Sequence, residues 1–391
     1  MKKISPKRKA PSTTLWSMAF RPFFLLGTAY SILALLAWGL LISGVIPWNG
    51  KLSARMMHAH EMLFGFCGAA IAGFLLTAVA TWTQRPPISG RALQWLVGFW
   101  VFARLGTLVT GASGILPWAV SSLAFWSLLG LLMAREVANG QNRRNDKVIP
   151  LIAGFTLLEG LFFFGSEATA NASLRAGLFL IINMIMLVAG RIIPSFTNNW
   201  LHLNRRDIAF RLKAFDHFDL LAIGVTNIFA VFFILEPEQE HSAYFGMAAA
   251  LLQFGRVLRW RGWITRSEPL LSILHLGYSW IPVGLGLLGA SHFLGHRAYD
   301  AGIHALTFGA IGTLILGISA RVALGHTGRR LAAFPIIRVA FILMTLGAFL
   351  RVALPQGEMS LHGAIGLWVL AYGLFIFRYT PILLEKSQRS E

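Results

Sequence analysis

The stretch His58-Ala-His60-Glu61-Met62-Leu-Phe64-Gly65-Phe-Cys67-Gly68 opens an apolar run that continues to residue 82. A run of about 20 apolar residues has the length of a helix that crosses the hydrocarbon core of a bilayer. Lipid offers no partner for backbone N–H and C=O groups, so such a run forms a helix. The histidines at its head matter as much, because polar groups at membrane depth are costly unless paired or ligated. A second stretch, His304-Ala-Leu-Thr-Phe308-Gly309-Ala-Ile-Gly312, repeats the pattern His-x3-Phe-Gly-x2-Gly. A further glycine follows five residues on in each, at Gly73 and Gly317.

Eleven other apolar runs accompany the first, at about 23–46, 93–110, 115–135, 148–166, 174–190, 217–235, 243–258, 268–289, 302–320, 334–354 and 360–379. The 391 residues are 56% hydrophobic and only 13% charged, against roughly 25% charged in soluble domains. The expected fold is therefore an all-α integral membrane protein with twelve transmembrane helices, forming one membrane domain over 1–391. The net charge of +18 invites a nucleic-acid reading, but 28 of the 34 Lys and Arg residues fall in the two tails and in alternate connections. Lys51, Arg55, Arg104, Arg175, Arg297 and Arg351 lie on the opposite side. That asymmetry is the positive-inside bias. It places both termini in the cytoplasm, implies an even number of spans and excludes nucleic acid as the partner.

The basic start followed by an apolar run could suggest a cleaved signal peptide. The run is too long for one and ends at Pro47-Trp48 with no small-residue cleavage site, so it is expected to remain as the first span. Cys67 is the single cysteine. Disulfides within the chain, four-cysteine zinc sites and covalent haem attachment are thereby excluded.

A shift of 244 residues aligns His60 with His304 and Thr83 with Thr327. Arg191-Ile-Ile-Pro-Ser-Phe196-Thr197 stands beside Arg321-Val-Ala-Leu-Gly-His326-Thr327. These segments belong to the second, sixth and tenth spans, which reads as three tandem four-helix units, 1–147, 148–266 and 267–391. Units with an even number of helices insert in one orientation, so the repeats are parallel. The shared glycines suit close helix packing as well as a seat for a flat ligand.

A neutral imidazole at matching points of two membrane helices is what an iron macrocycle needs, one axial ligand from each face. His60 and His304 are that expected pair. His58 and His60 point about 200° apart on a regular helix, so they serve two sites or lie on a non-helical lead-in. Glu61 shares a helical face with His58 and is expected to orient its ring. Met56, Met57 and Met62 bracket the cluster, and thioether with imidazole suits Cu(I). His275 lies roughly 10 Å inside the ninth span, as a helix-packing residue or a second metal ligand. His326 is placed in a cytoplasmic turn, where capping explains much of its motif. Arg191 and Arg321 occupy matching helix ends, where topology accounts for them and where Arg also binds carboxylates or other anions. Glu159 is the one carboxylate well inside a span. No nucleotide or phosphate loop and no nucleophile elbow is present.

With these residues in place, the chain resembles the NnrS family of bacterial membrane proteins. The resemblance covers most of the length. It rests on Phe20-Arg-Pro-Phe-Phe24, His58-Ala-His-Glu-Met-Leu-Phe-Gly65, Gly73-Phe-Leu-Leu-Thr-Ala78, Gly190-Arg-Ile-Ile-Pro194 with Phe196-Thr197, His304-Ala-Leu-Thr307, and Arg321-Val-Ala-Leu-Gly-His-Thr-Gly-Arg329. It implies a twelve-span protein of the bacterial cytoplasmic membrane that contains haem b and copper. The implied role is in nitric oxide metabolism or resistance to nitrosative stress, often beside denitrification, with an unknown electron donor. The matching histidines are His58, His60, His275, His304 and His326. Haem–copper oxidases and nitric oxide reductases offer a fold-level analogy alone. Their His-Pro-Glu and His-His metal motifs are missing from this chain, which argues against an oxygen reductase of that type.

The resulting expectation is a haem protein that binds or turns over nitric oxide at a metal site. His60 and His304 would hold iron, and His58, with or without His275, a second metal. The rivals are a copper or small-anion transporter with a Met/His cluster at its periplasmic mouth, and a non-catalytic NO-binding sensor or scaffold.

Overall fold

The structure, a computed structural model, describes residues 14–50, 52–109, 114–140, 146–204, 212, 215–237, 239–354 and 357–388. Among these residues twelve long helices follow in order: α1 (Phe20–Ile42), α2 (Ala54–Thr83), α3 (Arg91–Gly106), α4 (Leu116–Ala138), α5 (Val148–Phe164), α6 (Glu167–Leu203), α7 (His217–Leu235), α8 (Glu240–Arg259), α9 (Pro269–Leu294), α10 (His296–His326), α11 (Pro335–Ala353) and α12 (Glu358–Leu384). Each falls on one of the apolar runs in the sequence. Nine are long and apolar enough to cross a membrane. The other three are α3 and α5, of 16 and 17 residues, and α8, which carries Gln253, Arg256 and Arg259.

The helix starts have local causes. The Ser53 hydroxyl accepts the Met56 N–H at 3.2 Å, which begins α2 early enough to put His58 and His60 on the helix itself. Ser166 caps α6 through the Thr169 N–H at 3.2 Å, and Asp216 with Asp219 forms a capping box at α7. Gly295, at φ +74°, lets the chain reverse between α9 and α10 with no longer loop.

The buried apolar side chains form one continuous core from Ala19 to Leu383. Neighbours in sequence pack on each other along most of the chain, and α1 packs on α12. The motif-bearing helices α2 and α10 are the most enclosed, each with 72% of its most apolar stretch buried. Both leave the α-helical path just after their motif histidine, at Glu61–Phe66 and Ala305–Gly312, where the backbone winds as a π-helix. The sequence match between these two segments thus recurs in the backbone. The matched stretch of α6 stays α-helical around Pro194.

The motif glycines serve packing. A Cβ on Gly65 would run into the Arg104 guanidinium, and one on Gly312 would stand 2.5 Å from the Trp368 ring. Of the two uses the sequence allowed for them, the structure gives close approach of large side chains.

At the end of the bundle where α7 begins, Arg256 is fully buried. It donates to Asp219, to the Tyr278 hydroxyl at 2.5 Å and to the Met186 carbonyl at 3.0 Å. Nearby, Arg259 pairs with Asp216. The hydrogen bond from Arg259 holds the Asp216 carboxyl below its usual range, which for Asp is about 3.9. A depressed native pKa contributes stability that is present above the unfolded value and lost as pH falls through the native one. Asp216→Asn keeps an N-cap but loses the charge. It should therefore melt below the parent at pH 7, with the gap closing below about pH 4. Melting curves in detergent from pH 3 to pH 7 test this, and a gap independent of pH would refute it.

Candidate functional site

A cavity of about 590 Å³ lies between the cation-poor ends of α1, α2, α6, α10, α11 and α12. That volume falls in the range of small-molecule sites, roughly 300–1,000 Å³. Leu63, Phe66, Leu178, Phe308, Ile311 and Trp368 supply apolar wall. His58, Met56, Met62 and Cys67 face it from α2, and His304 and Asp300 from α10. Arg55, Arg175 and Arg351 complete the lining together with Glu358 and His362.

The protonation of His304 follows from its partners. Arg351 has only N–H groups to offer, so at 3.2 Å its Nη2 donates and His304 Nε2 accepts. Nδ1 then carries the proton and donates to the Asp300 carbonyl at 2.7 Å. A ring fixed this way presents its Nε2 lone pair, the tautomer a metal-binding imidazole uses. His58 stacks on Trp38 with ring centroids 4.5 Å apart and planes 15° from parallel.

His60 points elsewhere. Its ring is wholly buried, between Phe64 and Phe162 and edge-on to Trp118 and Phe163. Nδ1 faces Glu61 at 3.0 Å and Nε2 faces Glu159 at 2.9 Å. Ionised carboxylates accept only, so both contacts are made when the ring is an imidazolium. Such a ring has no lone pair for a metal. Glu159 also accepts from the Ser122 hydroxyl at 2.8 Å and the Trp126 indole at 3.0 Å. Glu61 accepts from Arg104 at 2.6 Å and from the Tyr30 hydroxyl.

The cavity thus pairs His304 with His58, not with His60. Nor does Glu61 orient His58, as the shared helical face suggested. The π-helical turn begins at Glu61, and its i→i+5 bonding changes the angular register that a regular helix would keep.

His275 does not join His58 either. Its Nε2 hydrogen-bonds Thr197 at 2.9 Å. The Thr197 hydroxyl itself donates to the Ile193 carbonyl at 2.9 Å, so Nε2–H is the donor to Thr197. Thr197 lies roughly 28 Å along α6 from the cavity residue Leu178, at 1.5 Å per residue. His326 stands at the far end of α10, with its ring 5.8 Å from that of Phe20. Arg321 lies over the Phe196 ring at 4.2 Å and Arg191 over the Phe215 ring at 5.5 Å. Among the described residues, no group of three His, Cys, Asp or Glu side chains converges to hold a metal ion.

The sequence reading missed the cavity arginines, having counted them only as evidence of topology. Of the six Lys and Arg residues on the cation-poor side, Arg55, Arg175 and Arg351 line the cavity. A fourth, Arg104, is buried against Glu61. A cation kept where the positive-inside bias removes others was the available signal.

A search of curated proteins finds no match. The family model described as NnrS protein matches residues 14–387, nearly the whole of the 391-residue chain. With the motif helices α2 and α10 at the centre of a helical membrane bundle, the chain belongs to the NnrS family.

Proposed function

We propose that this protein holds haem b in the cavity between α2 and α10 and acts on nitric oxide there, in nitric oxide metabolism or nitrosative-stress defence. The site would open to the periplasmic side of the bacterial cytoplasmic membrane. The observation that carries the reading is the shared cavity itself. His58 and His304, from different helices, face it beside a third lining imidazole, His362, and His304 has its Nε2 lone pair directed by a backbone carbonyl behind the ring. A flat apolar dicarboxylate with a central iron suits apolar walls, facing imidazoles and a cationic rim.

When bound, the haem supplies a redox-active iron. The protein's part is to hold and orient it. His304 is pinned through Nδ1–H to the Asp300 carbonyl, whereas His58 leans on Trp38 by ring stacking. Of the two, His58 would be the less firmly fixed holder of the group. Phe66, Phe308 and Trp368 give the cavity an apolar wall. The Glu61, His60 and Glu159 cluster on the far side of α2 holds that helix by buried ion pairs. For copper, the soft donors in the cavity wall are Met56 and Met62 beside His58. They make no set of three with His275, and no step is assigned to that metal.

The test is a reduced-minus-oxidised spectrum of the purified protein, followed by titration with nitric oxide. A b-type spectrum that nitric oxide perturbs is expected. With an electron donor present, consumption beyond one equivalent marks an enzyme, and stoichiometric binding marks a sensor or protective scaffold. Protein without Soret absorption that takes up copper or small anions in liposomes would replace this reading with the transporter.

A further inference from the structure

Arg351 occupies the nitrogen that a ligand's metal would need. Its Nη2–H donates to His304 Nε2, and the other ring nitrogen is committed to Asp300. One lone pair cannot accept an N–H and bind a metal at the same time. The same cavity holds Arg55 and Arg175. Arg175 spends Nη2 on the Ile234 carbonyl at 2.9 Å, and its Nε is buried with no hydrogen-bond partner among the described residues. Asp300 and Glu358 are the carboxylates in the lining, which leaves three guanidinium groups facing two acids. Guanidinium stays charged in proteins and forms its strongest pairs with carboxylates.

We propose that Arg351 is a carboxylate-responsive latch on His304. The acidic groups of a metal macrocycle draw Arg351 into an ion pair, the N–H···Nε2 bond breaks, and Nε2 becomes free to bind the macrocycle's metal. One ligand delivers both the trigger and the metal, so the cavity selects macrocycles with free carboxylates over neutral ones. The proposal rests on the haem reading above and adds a selectivity that this reading does not require.

The experiment uses the full chain, produced in haem-deficient cells and solubilised in detergent. It is titrated with haemin and with haemin dimethyl ester while the Soret band is followed. The parent should prefer the diacid about tenfold or more, the scale of one charge-assisted pair. Arg351→Leu should lose most of that preference by binding the ester several-fold more tightly than the parent does, because nothing then guards Nε2. Arg175→Gln, which removes a rim cation that does not touch His304, should weaken the diacid without strengthening the ester. Equal parent affinities for both porphyrins overturn the latch while leaving the haem reading intact. A preference retained in Arg351→Leu, or an ester affinity unchanged by it, also overturns the latch. Failure of the parent to bind either porphyrin sinks both. Should Arg351→Leu not fold, Arg351→Gln takes its place, and the parent's preference decides on its own.

Discussion

Replacing Arg104 by leucine should lower the stability of the solubilised protein by about 3–5 kcal/mol, the usual cost of removing one partner from a buried ion pair. Arg104 is 5% exposed and donates to Glu61, itself 1% exposed, at 2.6 Å. Its guanidinium also lies over the rings of Tyr30 and Trp100, at 5.6 and 5.9 Å. Leucine leaves the Glu61 charge beside Glu159 with one imidazole between them. The double variant Arg104→Leu with Glu61→Gln should recover part of the loss, since no uncompensated charge remains. Cys67, the single cysteine and buried, provides the readout, because a thiol-reactive dye reports its exposure on unfolding. A single variant that unfolds with the parent would show that the pair contributes nothing.

His304→Ala and His58→Ala should each abolish the spectrum of a haem held by two imidazoles, while His60→Ala should keep that spectrum and melt well below the parent. The contrast separates two pairings that the sequence alone treats alike. His60 has both nitrogens on carboxylates in an aromatic cage, so its loss strands Glu61 and Glu159 and costs stability. The other two histidines face the cavity. Loss of the spectrum in His60→Ala with retention in His58→Ala would restore His60 as the partner of His304 and remove the cavity assignment.

Helix placement was legible because it follows from local causes. Runs near 20 residues, caps such as Ser53 and Ser166, and turn formers such as Gly295 act over a few residues. The alternation of Arg and Lys between loops needs no knowledge of packing either. The shared spacing His-x3-Phe-Gly-x2-Gly carries a backbone feature that the spacing itself did not announce, since both stretches wind into a π-helix. What the spacing could not convey is that the two stretches meet different surroundings. His60 meets Glu159, 99 residues away, and His304 meets Arg351, 47 residues away.

The sequence by itself determined a helical membrane protein of the NnrS family with histidines at the head of two matched helices. The tertiary structure alone decided which of those histidines can offer a lone pair. That property depends on which donor or acceptor, arriving from another helix, takes each ring nitrogen. No period or motif along the chain encodes such a meeting, because the partners are brought together only when the bundle packs.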